Sequence, residues 1–330
     1  MIISEFHESQ MDELLSFLSR WSADHPELGQ GDIVRWQQCY RFVAIHNDRI
    51  VGYIAQIPHD FKYGHLSGRT GIEHFGWAVS LVLDMSDDDI RKKAGRRLLK
   101  RCEDNSPLLY SGAGMVPAVE DVYRRRGHRI RRDCCKMYAR FTRPVKALRY
   151  LARPVAYAPL IKLANMFHPV KATRQDLTGN VTWIENFSPS YDSRWDDILR
   201  NQYELYGVRT AEYLNYKLSQ PNREYYVFYN RNGGYIILRT AKHPLKDLVL
   251  VKICDLVGLN WIKPQLLGLA MQYFHHSGAD GIVALSSTKD EKLYHEAGMY
   301  ISKPYPICLH KSITAKVHIS FFDSDLDNLW

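Results

Sequence analysis

The spacing of apolar positions divides the chain into short strands and amphipathic helices. A run from Met1 to Phe6 predicts a strand, and Leu14, Leu15, Phe17 and Leu18 give the segment from Gln10 to Trp21 one apolar face of helical period. Two β-rich runs, Arg41 to Ile45 and Ile50 to Ala55, flank the turn-forming cluster Asn47-Asp48-Arg49 and predict a hairpin. Next come a strand from Trp77 to Met85, a basic helix carrying Leu98 and Leu99, a strand from Leu108 to Ser111, a helix carrying Tyr123, and a strand through Met137.

The same order then returns. Val181 to Glu185 predicts a strand, Arg194 to Tyr206 a helix, and Asn230-Arg231-Asn232-Gly233 the turn of a hairpin. A strand from Leu248 to Leu256, a helix from Pro264 to His276, a strand from Gly281 to Ser286 and a helix carrying Tyr294 complete the second set. Gly52-Tyr53-Ile54 is echoed by Gly234-Tyr235-Ile236. A tyrosine followed four residues later by glycine occurs as Tyr123 to Gly127 and as Tyr294 to Gly298, each tyrosine 39 residues after an aspartate, Asp84 or Asp255. Internal repetition of this kind, with strands and helices alternating, predicts an α/β protein with two mixed-sheet domains in tandem, 1–140 and 181–330.

A length of 330 residues is more than one ordinary core needs. With 45% hydrophobic and 24% charged residues the chain is globular rather than disordered. Of the net charge of +8, six units fall in residues 141–180. There Arg143, Lys146, Arg149, Arg153, Lys162, Lys171 and Arg174 interleave with Leu148, Leu151, Leu160, Leu163 and Met166, predicting a basic helical connector broken at Pro154 and Pro159. Its helices either brace the domains or make a peripheral contact with anionic lipid. No run reaches the roughly 20 apolar residues that span a bilayer. The first residues lack a basic start and an apolar core, so a cytoplasmic protein without a signal peptide is expected. The six cysteines form no metal or disulfide pattern and are read as reduced thiols.

The order of elements, the paired tyrosine corners and the basic run after the strand ending at Met85 resemble the GCN5-related N-acetyltransferase (GNAT) superfamily, as two GNAT-like domains in tandem. That resemblance implies acetyl-CoA as acyl donor, with no metal, and a small-molecule or carrier-linked amine as acceptor. In the family an Arg/Gln-x-x-Gly-x-Gly/Ala loop opens a helix and cradles the coenzyme pyrophosphate on free backbone N–H groups. Aligned on Leu98-Leu99, the loop falls on Ile90-Arg91-Lys92-Lys93-Ala94-Gly95, with Arg96 following. Gly95 keeps the final glycine, whereas Ile90 and Lys93 depart from the pattern, and a solvated basic helix face is the alternative. The resemblance also implies that the apolar end of the strand, Leu83 and Met85, meets the acyl group, with the Met85 amide on its carbonyl. In the second set Gln265 to Ala270 matches the loop by letters but lies in an apolar helix. The equivalent stretch, Gly258 to Lys263, has no glycine at either required position, and the second domain is therefore expected not to bind the coenzyme.

By the same resemblance Tyr123 protonates the leaving thiolate and Tyr294 marks shared ancestry. The family's glutamate base falls on Val79, which cannot take a proton, so Glu73 is the candidate base with His74 beside it. His275-His276 and the acidic tail Asp323-Ser324-Asp325-Leu326-Asp327 lack metal-binding spacing. Tandem members associated with surface-polysaccharide assembly suggest an amino-sugar acceptor. Two other readings are a Fem-type peptidyl transferase using aminoacyl-tRNA and a binding protein without catalysis. Nucleic acid as the main partner is not expected, because no aromatic residues interleave the basic run from Arg91 to Arg101.

Overall fold

A computed structural model describes residues 1–21, 31–84, 86–105, 108–113, 117–143, 145–146, 148, 158–167, 181–242 and 247–323. The first half contains β1 (Ile2–Glu5), α1 (Met11–Ser19), α2 (Gly31–Trp36), β2 (Tyr40–His46), β3 (Arg49–Tyr63), β4 (Ile72–Leu83), α3 (Asp88–Glu103), β5 (Leu109–Ala113), α4 (Pro117–Arg125) and β6 (Arg129–Phe141). Helix α5 (Ala158–Phe167) follows, and then β7 (Val181–Ile184), α6 (Asp192–Gln202), β8 (Leu205–Gly207), α7 (Ala211–Leu218), β9 (Tyr226–Asn230) and β10 (Gly234–Lys242). The chain continues through β11 (Val249–Gly258), α8 (Lys263–Ser277), β12 (Gly281–Ser287), α9 (Glu291–Glu296), β13 (Ile301–Leu309) and β14 (Val317–His318).

The strands form one mixed sheet in the order β1-β2-β3-β4-β5-β13-β6-β12-β11-β10-β9-β7, with β8 joined to β3 and β14. The order is nearly palindromic. In each half an antiparallel set ends in one parallel pair, β4 with β5 and β11 with β12. The last strands are exchanged: β13 pairs with β5 of the first half and β6 with β12 of the second, and the two exchanged strands pair with each other. The halves 1–140 and 181–330 therefore share a sheet rather than each closing its own.

Local chemistry explains the elements. Asn47 and Asp48 take φ of 51° and 55° at the β2–β3 turn, the left-handed pair that a two-residue hairpin needs and that Asn and Asp tolerate. Ala94, Leu98, Leu99 and Cys102 put the buried stripe of α3 against Phe42, Ala44, Ile54 and Tyr110. Helix α8 buries Leu266, Leu267, Ala270 and Phe274 on the second half in the same manner. The helix expected from Arg194 to Tyr206 stops at Gln202, and Leu205–Gly207 instead becomes strand β8 on the long β3. In the connector Pro159 sits in the first turn of α5 instead of breaking it, while Pro154 lies outside the described residues. Helix α5 exposes Leu160, Leu163 and Met166, the part of the expected lipid-facing surface that falls within the described residues.

Candidate active site

The parallel pairing of β4 with β5 is short, covering Phe75 to Trp77 opposite Leu109 to Ser111. Strand β4 then runs on to Leu83 paired with β3 only, while β5 pairs with β13 at Gly112 and Ala113. A bulge sharpens the divergence. The partner of β3 jumps from Val79, opposite Ala55, to Val82, opposite Tyr53, and Ser80 between them has φ of 54°. The second half has the same device, with the shift from Ile253 to Asp255 leaving Cys254 bulged.

Tyr123 lies beside the first divergence. It is 4% exposed and packs among Leu98, Cys102, Tyr110 and Cys308, the last contributed by the exchanged strand β13. The Tyr110 hydroxyl donates to the Tyr123 oxygen at 2.5 Å. Burial pushes the Tyr123 hydroxyl well above its usual pKa, although the bond from Tyr110 pulls the other way. Tyr123 is therefore protonated at neutral pH, and since its oxygen accepts from Tyr110, its own proton is available to a further acceptor.

A charged group adjoins this pair. Glu103, at the end of α3, pairs with Arg126 and lies 3.0 Å from His128 Nε2. Burial pushes the Glu103 carboxyl up, but the bonds from His128 and Arg126 override it and bring it down to about 2. Glu103, Tyr110, His128 and His310 line a cavity of about 120 Å³, and His128 Nδ1 has no hydrogen-bond partner there. Sequence reading did not select Glu103, Tyr110, His128 or His310. Glu103 ends α3, Tyr110 lies in β5, His128 precedes β6 and His310 follows β13, so they are far apart along the chain.

The tyrosine corner is one structure used twice. Gly127 and Gly298 have φ of 84° and 89°, which only glycine adopts without strain. The residue after each glycine donates its amide to the tyrosine carbonyl, His128 to Tyr123 at 3.1 Å and Met299 to Tyr294 at 2.9 Å. The hydroxyls differ in setting. Tyr294 is stacked on Tyr138 of the exchanged β6, with ring centroids 4.5 Å apart.

Ile90 to Arg96, where the pyrophosphate loop is expected, lie inside α3. The helix starts at Asp88, capped by the Asp87 carboxylate, which accepts from the amides of Asp89 and Ile90 at 2.8 and 3.0 Å. The Arg91 amide is bonded to Asp87 O, and Asp88 and Asp89 add negative charge to the first turn. The start of α3 is thus capped by a carboxylate, and its first turn is acidic. Arg91 and Lys92 pair with Asp88 at 2.7 and 3.5 Å, whereas Lys93 and Arg96 are exposed. Ala94 and Gly95 are buried, and a Cβ on Gly95 would come within 2.8 Å of Leu83, so this glycine serves close packing of α3 on β4. Met85 lies outside the described residues.

Glu73 accepts from the Tyr63 hydroxyl at 2.9 Å, and His74 Nδ1 lies 2.7 Å from Asp60; no bond among the described residues joins Glu73 to Tyr123. In the second half the letter match Gln265 to Ala270 is helical, as expected, and Trp261 before it is 57% exposed. Lys263 opens α8 with its ammonium buried on Gln202, Tyr203 and Asp290 at 2.6, 2.8 and 3.3 Å. Asp323, expected in an acidic tail, is instead buried against Arg209, and residues 324–330 lie outside the described residues. No group of three or more His, Cys, Asp or Glu suited to a metal ion occurs among the described residues.

No sequence-family model matches the chain, and no curated protein matches it. Solved structures do. The chain is similar to a conserved protein of unknown function from Enterococcus faecalis V583, a probable N-acyltransferase, with a TM-score of 0.58 at 11% identity over 94% of this chain and 72% of that one. It is also similar to a GCN5-related N-acetyltransferase from Anabaena variabilis ATCC 29413 (TM-score 0.57, 12% identity, 93% and 72% covered). A third likeness is to one from Kribbella flavida (TM-score 0.54, 12% identity, 94% and 71% covered). The chain shares the fold of these structures.

Proposed function

We propose that the chain is an N-acyltransferase that moves an acyl group, acetyl first among those to test, from a coenzyme A thioester to an amine. The observation that carries the reading is Tyr123, protonated and accepting from Tyr110, beside the gap where β4 leaves β5. The amine nitrogen attacks the thioester carbonyl, the C–S bond breaks, and the thiolate takes the Tyr123 proton; the proton lost from the amine passes to Glu73 or to water. Leu83 forms the apolar end of β4 in this scheme. The acceptor class to test first is an amino sugar, free or carrier-linked, as the sequence resemblance implies. Saturating acetyl-CoA should raise Tm, by the equivalent of about 2.7 kcal/mol at a hundred times Kd. Tyr123→Phe should cut transfer to a panel of amines by about 10²–10⁴-fold while leaving donor binding intact.

A second reading, a binding protein that retains the fold without catalysis, is favoured by the acidic start of α3. It predicts no Tm shift with acetyl-CoA and no transfer, and that pair of results would refute the first reading.

A further inference from the structure

A second cavity, of about 320 Å³, lies at the tip of the β3–β4 hairpin and draws its wall from both halves of the chain. Lys62, Tyr63, His65, Arg69 and Gly71 come from the hairpin, and Arg200 comes from α6. Gly64 lets the two approach. Its amide donates to Glu204 O at 2.9 Å, and a Cβ there would lie 1.9 Å from Tyr203 O.

The wall holds three permanent cations, Lys62, Arg69 and Arg200, and no Asp or Glu. Two carboxylates stand behind it. Asp196 is shared by Lys62 at 3.0 Å, Arg200 at 3.3 Å and the Tyr206 hydroxyl at 3.0 Å, and Glu73 receives the Tyr63 hydroxyl. The guanidinium of Arg69 lies over the Tyr63 ring, 5.8 Å from its centroid. Its Nη1 also donates to the Tyr63 hydroxyl at 3.5 Å, which places the guanidinium at the cavity wall, and a guanidinium has further N–H donors in a fork that suits an oxyanion. The volume is that of a small-ligand site, and the net charge of the group is positive.

We propose that this cavity binds the oxyanion group, phosphate or carboxylate, of a ligand other than the acyl donor. The site is built from chain segments apart from Tyr123 and Tyr110, and it does not depend on the acyltransferase reading.

Calorimetric titration of the full chain at low ionic strength, with inorganic phosphate and separately with succinate, tests it and distinguishes the two oxyanions. Saturable one-to-one binding of either probe is expected. Arg69→Gln and Arg200→Gln should each weaken it about tenfold, which is about 1.4 kcal/mol, and Lys292→Gln, an exposed cation outside the cavity, should not. Arg69 is exposed, so its variant keeps the fold, which circular dichroism checks. The proposal is overturned by absence of saturable binding of both probes, or by affinities unchanged in both arginine variants. It is also overturned if acetyl-CoA binding falls in parallel with phosphate binding in those variants, since the oxyanion site would then be the donor's own.

Discussion

Arg209 is where a single substitution should act on both halves at once. Its guanidinium donates to Asp255 at 2.7 and 3.3 Å, to Asp323 at 2.7 Å from each of two nitrogens, and to Ser320 at 3.1 Å. His59 Nε2 of β3 lies 3.0 Å from Asp323, and the Tyr235 hydroxyl of β10 donates to Asp255 at 2.8 Å. The arginine and both carboxylates are at most 2% exposed. Arg209→Gln leaves two buried carboxylates without their cation, a loss of about 3–5 kcal/mol. At the unfolding entropy usual for a chain of 330 residues, this lowers Tm by about 4–7 °C. The pH dependence has a definite sign. Burial by itself raises the Asp323 carboxyl, and Arg209 with His59 overrides it, holding the group far below its ordinary value. In the native chain this stabilisation is present above the unfolded carboxyl pKa, about 3.9, and is lost as pH falls through the depressed value. Without the guanidinium, burial raises the Asp323 carboxyl, so protonation relieves the penalty. His59, kept neutral mainly by burial, then also gains from taking a proton beside Asp323. The deficit should be largest at pH 8 and shrink toward pH 5. Urea and thermal unfolding at pH 5, 6.5 and 8 measure it. A variant as stable as the native chain at pH 8, or a deficit that grows on acidification, would refute the reasoning.

Two further outcomes are expected. Gly64→Ala sets a Cβ against the carbonyl oxygens of Tyr203 and Arg200, at 1.9 and 2.7 Å, and backbone atoms must move to accept it. The cost should be about 1–3 kcal/mol, read as a lower urea midpoint together with weaker phosphate binding by calorimetry, and a midpoint equal to the native one would contradict the close approach. Glu103→Gln removes a carboxylate drawn down to about 2 by His128 and Arg126 against the effect of burial. Its stabilisation is complete above the unfolded glutamate pKa, about 4.3, and fades as pH falls toward 2, so native and variant urea midpoints should differ at pH 7, with the difference shrinking steadily below pH 4.

Much of the secondary structure was legible because strands and helices announce themselves locally. The Asn47-Asp48 turn, the buried face of α3 and both tyrosine corners lie where apolar spacing and turn chemistry put them. That Ile90 to Gly95 lie within the helix was not legible, because letters aligned on Leu98-Leu99 fix the position of a helix but not its first residue. Asp87, five residues before Lys92, caps the helix earlier than the family pattern does and uses the amides that an anion would need. Asp323 was read only as part of an acidic tail because nothing in its neighbours along the chain foretells Arg209, which is 114 residues away.

The exchange of β6 and β13 escaped the sequence for the same reason, and it bears directly on the chemistry. Two copies of one corner have the same backbone, since a tyrosine carbonyl closing a turn at glycine depends only on residues four and five positions apart. What each hydroxyl can do depends on strands that arrive from the other copy. Beside Tyr123, β13 brings the small side chain of Cys308, and the Tyr123 oxygen meets Tyr110 of its own half. Beside Tyr294, β6 brings the Tyr138 ring, which covers the tyrosine face to face. A stacked aromatic neighbour stabilises the core by about 0.5–1.5 kcal/mol beyond the area it buries. The inequality of the two tyrosines thus arises at the exchanged strands, where residues more than 150 positions apart come together, rather than in the corners themselves.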